Sequence, residues 1–451
     1  MSDLPQPDSQ APRDARPPAQ PGGPDADRWA KHAELIDGLM RDHPLRYLFL
    51  EITRRCNLAC AYCGSSCLPT DSAKELTIPE WLEQLRQVAA DFDPRRVMVA
   101  VTGGEPLLRE GVFSIFAEPR RLGFPYGMVS NARLLDPAAA REMVRCGIGS
   151  ISLSMDAPPD LNDRLRGRGS TLAVAEAIRH LREAGYKGKL EIITTVTRPV
   201  IPVLAQVRRM VAEARVPLWR LGIVMPIGRA AERPDLVPGP DEVRRLLEFV
   251  RAARTDGLLP KPEFCEEGYV GDEFEGAVRP YLSQCRAGIT TGGILRDGTI
   301  GACPELGPAF AQGHVSRDRF RDVWNDRYQV FRDRSWSRSG GCADCDAWDR
   351  CRGGALHLRD EPGAEMLRCL HLMLRETAQS APTTAEAAPA RKPAPAKRKL
   401  APARRKTAPT KRKAAPTKRK VAPTKRKAAP AKRKAAPARK TDARRPRTAA
   451  S

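Results

Sequence analysis

The chain has 451 residues, 41% of them hydrophobic, and is therefore long enough to form two domains around a substantial core. Its formal net charge of +23 is concentrated at one end, because residues 391–451 hold 25 of the 77 lysines and arginines but one of the 54 acids. The rest of the chain is near neutral, so its charge does not indicate a polyanionic partner for the folded part.

Two further classes of protein are disfavoured. No apolar run approaches the roughly 20 residues of a membrane-spanning helix, and residues 1–27 lack the apolar stretch of a signal peptide. We therefore expect a cytoplasmic protein with no membrane partner. In a reducing cytosol, the twelve cysteines are expected to be metal ligands or free thiols rather than disulfides.

The predicted elements alternate along the chain. Residues 1–43 carry little apolar surface and are expected to be disordered. Helical patterns at 76–92, which opens with Thr77 and Glu80 in capping-box spacing, and at 171–185 separate apolar runs. The runs predict six strands, buried on both faces: 45–53, 96–102, 125–130, 150–155, 189–197 and 218–225. Such alternation favours a parallel α/β sheet or barrel with its chemistry at the carboxyl ends of the strands.

Three cysteines follow the first predicted strand. Cys56, Cys60 and Cys63 form a CxxxCxxC motif, with Tyr62 directly before the last cysteine. Thiolates bind soft metals, and three of them on one loop suit a four-iron cluster whose fourth iron stays open. The motif alone is equally compatible with a zinc loop.

Together with other motifs, this loop resembles that of the radical S-adenosylmethionine (radical SAM) enzymes. Gly103, Gly104, Glu105 and Pro106 match the family's Gly-Gly-Glu-Pro motif, while "SMD" (154–156) matches the ribose-contacting position and "MPIGRA" (225–230) the adenine-side loop. The resemblance implies a partial (β/α)6 TIM-like barrel over 44–235 and a [4Fe–4S] cluster that binds SAM and generates a 5′-deoxyadenosyl radical. It also implies a set of cofactor-binding residues: Tyr62, Gly103, Gly104, Glu105, Pro106, Ser154 and Asp156.

A second cysteine-rich region resembles the SPASM extension of radical SAM peptide-modifying enzymes, so we expect residues 236–375 to form a linker and a smaller iron–sulfur domain. The resemblance implies an outer auxiliary cluster held by Cys342, Cys345, Cys351 and Cys369. A zinc ribbon is the alternative for these four thiolates.

The inner auxiliary set is incomplete. Cys285 and Cys303 match it, but Ala355 stands where a further cysteine is usual, and the cysteine expected shortly before Cys285 is absent. Cys265 is a candidate replacement ligand; alternatively, the inner cluster lacks an iron ligand or is absent.

Other reactive residue types are less informative. Cys67 and Cys146 are interpreted as small buried residues, and His180 and His357 as ordinary polar positions. Oxidation of a substrate by a radical also requires a proton acceptor. Glu305, two residues after Cys303, is the candidate catalytic residue because it is expected to face the space between the clusters.

The end of the chain, 376–451, is predicted to be a disordered arm. Prolines recur every seven residues from Pro395 to Pro437 between Lys-Arg-Lys groups, which excludes a coiled coil. The arm resembles the terminal arms of linker histones and would bind nucleic-acid phosphates without reading sequence. We therefore expect the arm to associate with the nucleoid.

These observations give three functional hypotheses. The first is a radical SAM oxidoreductase or maturase that acts on a side chain of a peptide or small protein and takes electrons from a low-potential donor such as flavodoxin or ferredoxin. Against it, a disordered start leaves no room for a leader-binding domain, so a separate recognition protein or a non-peptide substrate stays open. The alternatives are a radical SAM RNA-modifying enzyme recruited by the basic arm, and a zinc-stapled nucleic-acid-binding protein.

Overall fold

The computed structural model describes residues 25–70, 74–281 and 284–380. Most of the basic arm, 381–451, and residues 1–24 lie outside this described part. The described residues form an α/β fold built on one mixed sheet of ten strands.

The sheet confirms the six predicted strands as its parallel centre. Its spatial order is β10-β9-β8-β1-β2-β3-β4-β5-β6-β7, in which β1 to β8 are parallel and β9 and β10 form an antiparallel edge. The strands are β1 Tyr47–Glu51, β2 Met98–Thr102, β3 Tyr126–Ser130, β4 Ser150–Ser154, β5 Lys189–Val196, β6 Leu218–Ile223, β7 Pro262–Phe264, β8 Thr291–Ile294, β9 Thr299–Gly301 and β10 Gly313–His314. This arrangement confirms a partial TIM-like barrel followed by a smaller C-terminal region.

Helices follow the strands and cover the sheet. They are α1 Asp25–Asp42, α2 Ile78–Asp91, α3 Val112–Leu122, α4 Pro137–Cys146, α5 Pro159–Arg166, α6 Ser170–Glu183, α7 Leu204–Glu213, α8 Pro240–Thr255, α9 Phe320–Asp326, α10 Gln329–Arg332, α11 Trp348–Cys351 and α12 Leu370–Ser380. At the start of α2 the predicted capping box is present, since Thr77 N–H donates to Glu80 Oε2 at 2.6 Å and Glu80 N–H donates to Thr77 Oγ1 at 3.4 Å. The helices predicted at 76–92 and 171–185 correspond to α2 and α6 to within about two residues at each end.

The core lies between the sheet and these helices. Strand residues such as Val99, Val101 and Ile151 are fully buried, and α2 contributes Trp81 and Leu85 to the same cluster. Burial of such side chains supplies about 25 cal/mol for each Å² of apolar surface removed from water. A rigid sheet thus fixes the loops that emerge from its carboxyl edge.

Two expected boundaries are corrected by the structure. Disorder was expected through residue 43, but Asp25–Asp42 forms α1, which buries Ile36 and pairs Asp37 with Arg352 at 3.4 Å. The low apolar content of residues 1–24 hides the helical spacing of apolar residues after position 34. At the other end, α12 continues past the expected boundary at 375/376 and is held to α8 by the bond from Arg244 Nε to Thr377 Oγ1 at 2.9 Å.

Candidate active site and metal centres

A large cavity connects the barrel to the cysteine-rich region. Its volume is about 1290 Å³, and its wall includes Cys60 and Cys63 on one side and Cys285 and Cys303 on the other. Leu35 and Leu39 of α1 also line it. The cavity therefore brings together two of the three cysteines predicted to hold the SAM cluster and the two that match the inner auxiliary set.

The CxxxCxxC loop leaves the carboxyl end of β1 and is held by its neighbours. Arg229, in the 225–230 loop after β6, donates from Nε to Cys60 O at 2.7 Å and from its backbone N–H to Cys63 O at 3.0 Å. Asn131, after β3, donates from Nδ2 to Cys56 Sγ at 3.6 Å. The loop expected to face the adenine thus also clamps the backbone of the cysteine loop.

The spacing of the thiols indicates the size of the group they could hold. Around one tetrahedral zinc with bonds of 2.3 Å, sulfur atoms lie about 3.8 Å apart. In the described part of the chain, Cys345, Asp346 and His371 are the group whose three donor atoms lie within 4.8 Å of one another. Cys345 of the outer set belongs to this group, whereas Cys56, Cys60 and Cys63 form no such group among the described residues.

The two glycines of the Gly-Gly-Glu-Pro motif permit a close approach of two backbones. A Cβ on Gly103, whose φ is +142°, would lie 2.1 Å from Thr53 O, and one on Gly104 would lie 2.2 Å from Arg55 O. Gly104 N–H and Glu105 N–H donate to these same carbonyls at 2.8 and 2.9 Å. The motif was expected to approach the methionine of SAM, and in the structure it also fixes the backbone directly before Cys56.

Glu105 is fully buried at the carboxyl end of β2 and ties β2 to β3. Its carboxylate accepts from Asn131 N–H at 2.8 Å and from Ser130 Oγ at 3.0 Å. Burial raises the pKa of Glu105 to about 7 in spite of these donors. Because Asn131 also donates to Cys56, Glu105 positions a side chain that contacts the cysteine loop, while Pro106 is buried beside it.

Of the residues in the "SMD" segment, Ser154 lines the cavity and Asp156 is fully buried. The hydroxyl of Tyr62 and Nη1 of Arg166 both donate to Asp156 Oδ2, the latter at 3.0 Å, and Thr195 N–H donates to Oδ1 at 2.8 Å. Both carboxylate oxygens are therefore engaged below the cavity surface. Asp156 orients Tyr62, and Ser154 is the residue placed to meet a ligand.

The outer cysteines come together around α11 and the start of α12. The backbone N–H of Tyr269 bonds to the Cys351 thiol, and those of Leu372 and His371 bond to Cys369. Arg359 donates to Cys342 Sγ at 3.5 Å. Such N–H groups stabilise thiolates and influence the potential of an iron–sulfur cluster.

Cys285 and Cys303 line the cavity, and so does Cys265. Cys285 and Cys303 lie close enough for their charges to interact, and burial raises the pKa of each thiol, that of Cys285 to about 12. Cys265 follows β7, bonds through its N–H to Leu221 O at 3.0 Å, and faces the guanidinium of Arg220. Ala355 is buried, as expected from its identity.

Carboxylates lie between the two sets of cysteines. Glu305 lines the cavity, and its Oε2 would lie 3.0 Å from a Cβ on Gly64, next to Cys63. Glu266 lies 3.7 Å from His357 Nε2, and burial raises the pKa of Glu266 to about 7. Burial lowers the pKa of His357, but the neighbouring carboxylates outweigh this effect and raise it. The sequence analysis interpreted His357 as an ordinary polar position and did not single out Glu266. The position of Glu266 just after a short strand was the available signal.

Comparison with known proteins identifies both halves of this arrangement. Residues 50–204 match the family model of the radical SAM superfamily, and residues 285–346 match that of the SPASM iron–sulfur cluster-binding domain. Residues 50–204 form a radical SAM domain.

The curated relatives of this radical SAM protein include a maturase and a heme synthase. Mycofactocin maturase MftC of Mycolicibacterium smegmatis is 29% identical over 314 residues, covering 68% of this chain and 76% of the relative. The AdoMet-dependent heme synthase of Oleidesulfovibrio alaskensis is 24% identical over 342 residues, covering 70% and 86%. Streptococcus suis SuiB bound to its precursor peptide SuiA shares the fold, with a TM-score of 0.58, 18% identity, and coverage of 74% and 79%.

The chain is therefore a radical SAM enzyme, and its cofactors are a [4Fe–4S] cluster, SAM and auxiliary iron–sulfur clusters in the SPASM domain. The hypothesis of a non-enzymatic zinc protein is excluded. No helix among the described residues is long and apolar enough to cross a membrane.

Two further cysteines of this radical SAM enzyme are buried. Cys146 packs in the core and donates to Phe113 O at 3.5 Å. Cys67 is also buried, and its thiol donates a hydrogen bond to Cys63, which lowers the pKa of the Cys63 thiol. Cys67 thus lies behind the cysteine loop and touches one of its thiols.

Proposed function

We propose that this enzyme modifies a side chain of a peptide or small protein by radical chemistry. The observation that carries the proposal is the single cavity of about 1290 Å³ that joins the CxxxCxxC loop to the inner SPASM cysteines. A substrate segment in this cavity would lie between the two. The maturase relative at 29% identity and the precursor peptide bound to SuiB support a peptide substrate.

The proposed roles follow from position. Cys56, Cys60 and Cys63 hold the SAM cluster, and the outer cluster is held by Cys342, Cys345, Cys351 and Cys369. When bound, the cluster and SAM supply a 5′-deoxyadenosyl radical that takes a hydrogen atom from the substrate. The cofactor-binding residues are those predicted from the motifs, with Asp156 and Glu105 acting as positioning residues because both are fully buried.

Glu305 is the proposed proton acceptor. It lies beside Gly64 of the cysteine loop and two residues from Cys303, so a substrate held between them would contact it. A carboxylate at this position can take the proton that a substrate releases on oxidation.

Two proposed partners lie apart from this cavity. A low-potential donor such as flavodoxin or ferredoxin would reduce the clusters. Nonspecific nucleic-acid binding is assigned to the basic arm, which falls outside the described residues and stays a prediction, as does an RNA substrate.

The substrate class is tested by stimulation of 5′-deoxyadenosine formation. The reduced, anaerobic enzyme is incubated with SAM and a host peptide fraction below 10 kDa, with and without prior digestion by proteinase K. We expect stimulation that digestion removes, and a mass change of −2 Da or another defined value on one peptide. Equal rates with and without the fraction would contradict the proposal.

A tetrapyrrole is the second candidate substrate. The heme synthase relative favours it, and so do Arg46, Arg96 and Lys189, which line the cavity and could pair with porphyrin carboxylates. An iron tetracarboxylate porphyrin is the probe. Stimulation by this porphyrin, together with loss of carboxylate groups by mass spectrometry, would replace the peptide assignment.

A further inference from the structure

The inner auxiliary site has two matching cysteines, Cys285 and Cys303, where four ligands are required. We propose that Glu267 and His357, together with Cys285 and Cys303, bind the inner iron–sulfur cluster. The proposed ligands line the same cavity as the proposed substrate site. Only the role of the cluster as an electron acceptor rests on the proposed function.

Glu267 is an unengaged carboxylate that lines the cavity with Cys285 and Cys303. After burial, it is the largest cause that raises the pKa of Cys285, whereas burial and Glu305 both affect the pKa of Cys303 more strongly. Within the described residues, its carboxylate has no hydrogen bond or ion pair. A carboxylate oxygen is a competent metal ligand, so this side chain can occupy the place of a missing thiolate.

The backbone of Glu267 is held by residues near the two positions where a cysteine is missing, one before Cys285 and the other at Ala355. Before Cys285, the fully buried Arg279 donates to the carbonyls of Glu266 and Gly268, the latter at 2.6 Å, which immobilises both neighbours of Glu267. Beside Ala355, Gly354 packs against the same segment, because a Cβ on Gly268 would lie 3.9 Å from its Cα. The backbone on both sides of Glu267 is therefore fixed by Arg279, and Gly354 packs against it.

His357 lines the same cavity, directly after Leu356, whose backbone N–H bonds to the Cys285 thiol, and only 15% of the His357 side chain is exposed. Its Nε2 faces Glu266 at 3.7 Å, while Glu267 lies near enough to influence its charge. A histidine that binds a metal through one ring nitrogen commonly has its other nitrogen directed at a carboxylate. Glu266 therefore serves as the positioning residue, which leaves Nδ1 for iron.

The four side chains offer donor types that bind iron, namely two thiolates, a carboxylate and an imidazole. Iron–sulfur clusters with two thiolates and two other ligands are stable; a pair of histidines replaces two cysteines on one iron in the Rieske type. Such ligands raise the reduction potential of the cluster, which suits a cluster that accepts electrons from the substrate as it is oxidised.

The test uses the full chain with Cys56→Ala/Cys60→Ala/Cys63→Ala, so that all remaining iron belongs to the auxiliary sites and no SAM cleavage is needed. Iron and sulfide are counted, and the reduced protein is studied by continuous-wave and pulsed EPR. We expect Glu267→Gln to lose the inner cluster, Glu267→Cys to retain it with an altered signal, and His357→Gln to lose a ¹⁴N coupling that the parent shows. Glu263→Gln, a matched carboxylate of the same cavity, should leave iron and spectra unchanged.

Three results would overturn the proposal: unchanged iron and spectra in both Glu267→Gln and His357→Gln, unchanged iron on Cys285→Ala/Cys303→Ala, or loss of the inner cluster on Cys265→Ala. Because Glu267→Cys must retain iron while Glu267→Gln loses it, a general folding defect is distinguishable from the loss of a ligand. A failure here leaves the peptide proposal intact, since that proposal is tested with the native cysteine loop.

Discussion

Replacement of Gly104 by alanine is expected to displace the cysteine loop. The new Cβ would lie 2.2 Å from Arg55 O and 2.6 Å from Arg55 C, where real Cβ contacts stay above 3.0 Å. Both are backbone atoms, so no side chain can rotate to make room. The two backbones must therefore separate by about 0.8 Å or more, directly before Cys56.

This separation has a calculable cost. It breaks or stretches the bonds from Gly104 N–H to Thr53 O and from Glu105 N–H to Arg55 O, at about 1 kcal/mol each. Overpacking adds about 1–3 kcal/mol, for a total of about 3–5 kcal/mol in the free energy of unfolding. A displacement near 1 Å at a reactive centre typically lowers the rate about 100-fold.

The assay measures 5′-deoxyadenosine formation per SAM-cluster iron, alongside denaturant unfolding. Gly38→Ala is the matched control, since its Cβ meets an ordinary contact at 3.7 Å inside α1 and should stabilise the helix by up to about 1 kcal/mol. A Gly104→Ala enzyme with the stability and rate of the wild type would refute the steric argument.

Three further predictions concern residues around the site. Arg229→Gln removes the bonds to Cys60 O and Cys67 O, at 2.7 and 3.0 Å, and should lower cluster retention and SAM cleavage at least tenfold, whereas Arg233→Gln, in an exposed pair with Asp235, should change neither. Glu51 is 3% exposed, and burial raises its pKa to about 7, so the folded state binds the proton more tightly and loses stability as pH rises from 4.5 through 7. In denaturant unfolding, the free energy of unfolding of Glu51→Gln should increase relative to the wild type by up to about 3 kcal/mol between pH 4.5 and 8. A difference that does not change with pH would show that Glu51 has an ordinary pKa. Arg279→Met leaves the fully buried Glu275 unpaired and should cost about 3–5 kcal/mol, which a melting temperature within 2 °C of the wild type would contradict.

The barrel could be predicted because its signals are local. Six apolar runs, the Thr77–Glu80 capping box and the cysteine spacing each depend on residues within one element, and the structure has these strands and helices in nearly the expected places. The sites at the strand ends followed from the rule that parallel strands present their loops at one edge.

What the sequence could not show depends on contacts across the chain. The pairing of Asp156 with Tyr62 and Arg166 spans 94 and 10 residues, and the approach of Glu266 to His357 joins a strand end to a turn in the SPASM region. A pattern within one segment carries no information on such distances. Helix α1 escaped prediction for a different reason, since a proline-rich start lowered the average apolar content of the whole segment.

The central claim is that Cys56, Cys60 and Cys63 hold the group that cleaves SAM. The most direct measurement is 5′-deoxyadenosine produced by the anaerobically reconstituted, dithionite-reduced enzyme, compared with the triple alanine variant of these cysteines. We predict several turnovers of product by the wild type, and less than 1% of that rate in the variant while auxiliary iron remains. A reduced wild-type enzyme that forms no 5′-deoxyadenosine, or a variant that forms as much, would contradict it.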